Sequence, residues 1–303
     1  MAAARVDVRK TYKLYIGGKF PRSESGRSYE VYAVPSRAGA SPKFLANASQ
    51  GSRKDARDAV VAARGAQAGW AGATAYNRGQ VLYRVAEVME GRRSQFVDEV
   101  RAGEGVSQSK ADSLVSQAID RWVWYAGWSD KLPQVLGNPN PVAGPFLNIS
   151  SPEPSGVVAV LAPQESSLLG LVSVIAPAVV SGNTVVVVSS KERPLPAITL
   201  SECLATSDVP GGVVNMITGD AVEIGPWLAS HRDVNGLDLT GCAGLEGADW
   251  GALEAAAADT LKRVIRPAGD GANAVEPDWA VEPSLGRMSI FLETKTVWHP
   301  KGR

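Results

Sequence analysis

The chain has 303 residues, 45% of them hydrophobic and 20% charged, enough for one large domain or two modest ones whose core needs no disulfide or metal. Its 31 basic and 31 acidic side chains cancel, which excludes nucleic acid and an anionic membrane surface as main partners and leaves little repulsion between copies. Cys203, Cys242, His231 and His299 show no metal-ligand spacing, and the low cysteine content, the absence of an apolar signal-peptide core in the first ten residues and the absence of any run of about 20 apolar residues together predict a cytoplasmic protein off the membrane.

Along the chain, Tyr12 to Phe20 alternates around Gly17-Gly18 and predicts a small hairpin. Residues 28 to 48 read as extended segments broken by Pro35, Pro42 and glycines. Ser52-Arg-Lys-Asp55 is a capping box, and Ala56, Val60, Ala63 and Trp70 follow at helical spacing. A second helix is predicted from about Asn77 to Arg92 and a third over Gln95 to Arg101. A fourth opens at Ser109-Lys-Ala-Asp112, with Val115, Ile119, Trp122 and Ala126 on one stripe. Residues 1–137 are therefore expected to form a helical layer. Asn138-Pro-Asn-Pro141 ends it, and Phe146 to Ser150 reads as a short exposed strand. The crowd of Trp122, Trp124, Tyr125 and Trp128 predicts packing against the sheet or a partner in preference to an aromatic ligand shelf.

From residue 156 the pattern becomes strict strand–helix alternation. Strands are predicted at 156–162, 184–189, 213–218, 236–240 and 262–266, and helices near 166–180, 195–206, 221–230 and 245–259. The run Val185 to Val188 is apolar without a polar alternate, the mark of a strand buried on both faces. The expected fold class is α/β, a doubly wound five-stranded parallel sheet over 155–268, with ligands at the strand C-termini. Pro267, Pro277 and Pro283 make 269–284 a linker, and Met288 to Trp298 reads as a closing strand.

The runs Gly156-Val-Val-Ala-Val-Leu-Ala-Pro163, Ser181-Gly-Asn-Thr184 with the valines after it, Pro210-Gly-Gly-Val-Val-Asn-Met-Ile-Thr-Gly219 and Gly236-Leu-Asp-Leu-Thr-Gly241 resemble, in order and spacing, the cofactor half of the aldehyde dehydrogenase superfamily. The resemblance implies that fold and a cysteine nucleophile, an oxyanion donor, a glutamate base and a nicotinamide dinucleotide. The chemical positions depart from it. Gln164-Glu165 stands where the family has Trp-Asn, so the oxyanion donor is replaced by an acid that serves only if protonated, and otherwise is a solvated or helix-end carboxylate. Val188-Ser189-Ser190-Lys191 replaces Lys-Pro-Ser-Glu, which removes ribose recognition, and Lys191-Glu192-Arg193 then reads as a solvated charged turn. Glu246 stands where a glycine faces the cofactor phosphates. Pro267 occupies the position of the general base.

No lobe follows to supply the nucleophile. Cys203 reads as a core residue. Cys242, at a predicted helix start, is either a small buried side chain or a thiol of lowered pKa. His231 reads as a cation at a helix C-terminus. The positions left to meet a cofactor are Ser189, Gly219, Gly241 and Cys242; no resident cofactor is expected, with NAD or NADP the alternative. Residues 138–154 and 285–303 resemble the family's oligomerisation strands, and the truncated, degenerate whole resembles the inactive second half of double-length aldehyde dehydrogenases. The expected function is a catalytically inactive subunit, structural or regulatory, joined through those strands to itself or to a full-length active member. An NAD(P)-binding regulator and an NAD(P)-dependent oxidoreductase with a non-standard site are the alternatives.

Overall fold

The structure is a computed structural model in which residues 9–35, 39, 41–269 and 274–301 are described. Of the expected segments, positions 1–8, 36–38, 40, 270–273 and 302–303 lie outside the described residues. The N-terminal part contains β1 (Thr11–Tyr12), β2 (Ser28–Tyr32), β3 (Phe44–Ser49), α1 (Arg53–Gly72), α2 (Ala75–Gly91), α3 (Arg93–Glu104), α4 (Gln108–Ala126) and α5 (Leu132–Leu136). An arm follows, β4 (Asn138–Asn140) and β5 (Phe146–Pro154). The alternating part is β6 (Val157–Leu161), α6 (Leu169–Val180), β7 (Thr184–Val188), α7 (Leu195–Ala205), β8 (Val214–Ile217), α8 (Ala221–Ser230), β9 (Gly236–Asp238), α9 (Trp250–Ala258) and β10 (Arg263–Ile265). The chain closes with α10 (Gly286–Ile290) and β11 (Leu292–Pro300).

The five central strands are parallel in the order β10-β9-β6-β7-β8. Their side chains divide between two apolar cores. Val158, Val160, Val185 and Val187 face one core with α2, α3, α4, α6 and α7; Val157, Ala159, Leu161, Val186 and Val188 face the other with α1, α8 and α9. That division explains the unbroken apolar strands: each face of the sheet is roofed by helices. It also corrects the expected single helical layer. Ala56, Ala59, Val60 and Ala63 of α1 pack on the face opposite to α2–α4.

Local signals set most helix ends. Ser52 accepts from the Asp55 amide while Asp55 accepts from the Ser52 amide, the reciprocal capping box read from the sequence. The fourth helix begins two residues earlier than expected, because Ser107 and not Ser109 accepts from the Lys110 amide. Gly17 and Gly18, at φ 59° and 79°, turn the chain between Ile16 and Lys19, and the residue before that turn hooks onto the sheet: Tyr15 exchanges backbone bonds with Met216 of β8. The small hairpin is therefore only its tip, while Thr11–Tyr12 pairs in parallel with β3. Trp122 is fully buried, and Trp124 meets Tyr125 edge-to-face and Trp128 at a tilt, with ring centres 4.9 and 5.6 Å apart, so the aromatic crowd is packing.

Two further expectations are corrected. Residues 245–259 do not form one helix: a 3-10 turn covers Thr240–Gly244 and α9 starts at Trp250 under an Asp249 cap. Met288 is helical, not extended, because α10 turns Phe291 into the core against Gly236, where a Cβ would stand 2.6 Å from the ring. The three-stranded sheet β11-β5-β4 is antiparallel, with β11 paired to β5 from Leu292 opposite Pro154 to Pro300 opposite Phe146. Asn140 donates to Asn148 and Ser150, and Ser150 meets Thr296, a polar ladder that fixes the register of all three strands.

Candidate functional site at the sheet switch point

The chain runs from β6 outward through β7 and β8, then returns to the other side of β6 with β9 and β10. The order reverses between β6 and β9, and in a doubly wound sheet the crevice beyond the strand ends at that point is the ligand site. Its walls here are the loop Ala162–Ser167 after β6 and the turn Leu239–Gly244 after β9.

The crevice is filled from within. The Glu276 carboxylate accepts from the backbone amides of Gln164 (2.5 Å) and Glu165 (3.0 Å) and from the Trp279 indole (3.3 Å). On the other side of the same loop, Glu104 accepts from the Ser167 amide and hydroxyl, both at 2.7 Å. Burial pushes the Glu104 carboxyl above the usual range. Two acids of the chain thus occupy the free amides ahead of α6, the groups that would otherwise attract an external anion. Across the crevice, Arg287 donates to Asp238 at the end of β9 (2.8 Å) and to Thr240 (3.0 Å), and its guanidinium lies 5.1 Å from the Trp279 ring centre. Arg121, from α4, donates to the carbonyls of Trp279 and Val281. The described part of the stretch read from the sequence as a linker over 269–284 is therefore docked from 274 onward, with Trp279 buried.

Each residue singled out in the sequence has a defined place. Glu165 extends into solvent and pairs with Arg193 at 2.7 Å. Arg193 also donates to the carbonyls of Gln164 and Glu165, so it is a brace for this loop and not part of a solvated turn. Lys191 pairs with Asp220 at 3.0 Å; burial opposes ionisation of Asp220, yet that bond and the Val222 amide bring its carboxyl below the usual range. Ser189 is buried, its amide spent on Ile217 and its hydroxyl turned to the Ser190 carbonyl. Gly219, at φ 139°, packs so closely on Gly51 that a Cβ would stand 3.0 Å from its nitrogen. A Cβ on Gly241 would collide with the Ala162 carbonyl, so that glycine lets the turn after β9 lie against the end of β6. Pro267 is buried directly beyond β10.

Cys242 sits in the 3-10 turn and not at a helix start. Burial, reinforced by Asp238, pushes its thiol up to about 12, the reverse of the lowered value a helix N-terminus would produce. Cys203 is likewise buried and raised to about 12 by burial. His231 ends α8 against Trp227 with ring centres 4.5 Å apart, and burial lowers its pKa, which favours the neutral ring over the expected cation. No cluster of metal-ligating side chains occurs among the described residues.

The residues fit a dinucleotide in part. Between α8 and α9 lies an apolar cleft of about 170 Å³, floored by Leu161 and Ala221, walled by Pro226, Leu253 and Ala256, and rimmed by Gly247, Ala248 and Asp249. It suits a single flat ring. The inner crevice is occupied by Glu276, Trp279 and Arg287. The sequence pointed to neither Glu276 nor Trp279, since a proline-broken stretch carries no periodicity to place it.

Comparison with known proteins agrees with this architecture. The family model described as "Aldehyde dehydrogenase family" matches residues 26–275. Human aldehyde dehydrogenase 1A1 is 31% identical over 259 residues, 83% of this chain and 49% of that protein. The putative aldehyde dehydrogenase DhaS of Bacillus subtilis is 29% identical over 88% of this chain and 52% of its own length. Among solved structures, HpcC from Thermus thermophilus superimposes with a TM-score of 0.78 at 28% identity, covering 86% of this chain and 48% of that one. The NAD+ complex of aldehyde dehydrogenase from Bacillus cereus superimposes with a TM-score of 0.75 at 25% identity, over 84% and 50%. The chain spans about half the length of the relatives it matches. With most of its length inside the family model and its five-stranded sheet shared with these structures, the chain belongs to the aldehyde dehydrogenase family.

Proposed function

We propose that this chain is a non-catalytic member of the family that works as an assembly subunit, joined to a second copy of itself or to a full-length member through residues 138–154 and 285–303. One observation carries the reading. The sheet β11-β5-β4 is built outside the central sheet and carries apolar side chains on both faces at its outer end: Leu147, Ile149 and Val297 share one face, Phe146 and Trp298 the other. Phe146, Leu147, Ile149 and Trp298 are all more than a third exposed, and β11 is a nine-residue edge strand, paired to β5 on one side, whose alternate residues turn their backbone N–H and C=O groups outward. A free edge of that length, with exposed Leu147, Ile149 and Trp298 beside it, is an aggregation hazard unless a partner covers it, and strand addition is the natural cover. The non-catalytic part of the reading is supported by the filled crevice, by Pro267 at the base position and by two buried cysteines whose thiols are held neutral.

No helix among the described residues is long and apolar enough to cross a membrane. A cytoplasmic setting belongs to the same proposal, supported by Cys203 and Cys242 being unpaired. Light scattering tests the assembly: the native chain should show a multiple of its 31.8 kDa, alone or mixed with a full-length member, and Leu147→Glu with Trp298→Glu should return it to 31.8 kDa. A native mass of one chain under both conditions, or an unchanged mass in the double variant, sinks the idea. Purified alone with an aldehyde panel and NAD or NADP, the chain should show no turnover that Cys242→Ala abolishes.

A second reading is favoured by the cleft between α8 and α9. We read it as the seat of an adenine ring, which would make the subunit a sensor of NAD or NADP; the Bacillus cereus structure is an NAD+ complex. Adenosine monophosphate titrated calorimetrically should give saturable heat, lost on Leu253→Glu.

A further inference from the structure

The crevice has an outer and an inner end, and the chain treats them differently. The outer end, between α8 and α9, is open, but its volume of about 170 Å³ falls short of the roughly 300–1,000 Å³ of sites that enclose a whole drug-sized ligand. The inner end is closed by Ala274–Leu285, which has neither helix nor strand and is held by side-chain anchors. Val275 bonds to Ala268 (2.8 Å) at its start. Glu276 takes the Gln164 and Glu165 amides, Trp279 packs where a Cβ on Gly170 would stand 3.0 Å from its indole nitrogen, and Arg121 holds two of its carbonyls. Glu276 also reaches the turn after β9: a Cβ on Gly244 would lie 3.4 Å from its carboxylate oxygen, and Gly247, at the rim of the outer cleft, is three residues further on. The carboxylate therefore bridges the two walls of the crevice at the strand ends, the loop after β6 and the turn after β9. It satisfies amides that point at the path a ligand would take, and its charge repels phosphate.

We propose that residues 274–285 are an autoinhibitory strap, with Glu276 as its latch and Trp279 as its wedge, which lets an adenine mononucleotide into the outer cleft and shuts out the remainder of a dinucleotide. The proposal builds on the adenine reading of that cleft and is independent of assembly. The segment lacks a hydrogen-bonded ladder of its own, so it opens by losing this short set of contacts and leaves the sheet intact.

Calorimetric titration of the full chain with adenosine monophosphate and with NAD+ tests it. In the native chain NAD+ should bind no tighter than the mononucleotide. In Glu276→Ala and in Trp279→Ala, NAD+ should become about tenfold or more tighter than the mononucleotide, a change of about 1.4 kcal/mol, with mononucleotide affinity unchanged. Glu276→Gln keeps an acceptor without the charge and serves if the alanine variants do not fold; it should move the ratio in the same direction. Hydrogen exchange at the Gln164 and Glu165 amides gives a second readout, slow in the native chain and faster in the strap variants. A native chain that already prefers NAD+ by tenfold, or variants that leave the ratio unchanged, overturns the strap and leaves the cleft reading intact. Failure of both ligands to bind every form overturns both.

Discussion

Arg287, from the short helix before the last strand, places Nη1 2.8 Å from Oδ2 of Asp238 at the end of β9. The Asp238 side chain is 1% exposed and that of Arg287 21%. This pair is the electrostatic tie between the C-terminal segment and the crevice. Thr240 completes it, giving its amide and hydroxyl to the other carboxylate oxygen and accepting from Arg287. Removing one partner strands a buried charge, so Arg287→Ala should lower the unfolding free energy by about 3 kcal/mol. Arg287→Ala with Asp238→Leu should recover much of it, since an apolar pair needs no desolvation of charge. Urea unfolding of the two variants checks this; equal losses in both contradict it.

At the start of α1, Ser52 and Asp55 should behave unequally. Ser52→Ala removes one cap bond of α1 and should cost about 1 kcal/mol. Asp55 is buried and accepts from Ser23, from the Glu24 amide and from the Ser52 amide, so Asp55→Ala strands three donors and should cost at least twice as much. Thermal melts of the single variants rank them, and a larger loss for Ser52→Ala runs against the argument.

That box was legible in the sequence because its signal is local: four consecutive residues contain both partners. The strands were legible for a related reason. A parallel sheet roofed on both sides imposes valine after valine, and Val185 to Val188 divide two and two between the cores. The crevice was not legible. Glu276 and the loop it closes are 111 residues apart, and nothing local in Val275-Glu276-Pro277 distinguishes a docked acid from a solvated one. Of the two readings of Cys242 the structure bears out the small buried side chain: the residue lies in a buried 3-10 turn instead of at a helix start, so desolvation and not the helix dipole is the leading effect on its thiol. Met288 to Ile290 read as strand from residue type alone, whereas the packing of Phe291 on Gly236 makes that stretch turn.

Glu99 gives a pH test. It is buried in α3, and one of its oxygens accepts from Tyr12, Gln95 and Thr199 while the other has no partner. Burial raises its pKa, against those hydrogen bonds and the charge of Lys10, which lower it. The folded state therefore binds its proton more tightly than the unfolded state does. The sign follows: this group's contribution is most favourable below the unfolded pKa of about 4.3 and is lost as pH rises from there through the folded value. Glu99→Gln removes the dependence. Its melting temperature should gain on that of the native chain as pH rises from about 4.5 toward neutrality. A gap that stays constant with pH, or that narrows, contradicts the assignment.

Gly241 separates a structural glycine from a ligand-facing one. In the family resemblance it borders the cofactor phosphates, and its retention beside so many lost positions invites a binding role. The backbone offers a sufficient reason without one: the turn after β9 lies against the end of β6, and any Cβ at 241 meets the Ala162 carbonyl. That carbonyl also accepts from the Gln164 side-chain amide at 2.6 Å, so it cannot swing away without disturbing the loop that Glu276 latches. Gly241→Ala must therefore push β6 and β9 apart at their ends or twist the turn, a backbone clash of the kind that costs about 1–3 kcal/mol or more. Gly247, at the rim of the outer cleft, is the control: it has φ 81° but open space around its Cβ, so Gly247→Ala carries only local backbone strain of about 1–2 kcal/mol. Gly241→Ala should be the less stable of the two in urea, with loss of protection at the Gln164 and Glu165 amides, while Gly247→Ala keeps that protection. If Gly241→Ala is as stable as the native chain, the close approach of the two strand ends is not what retains this glycine.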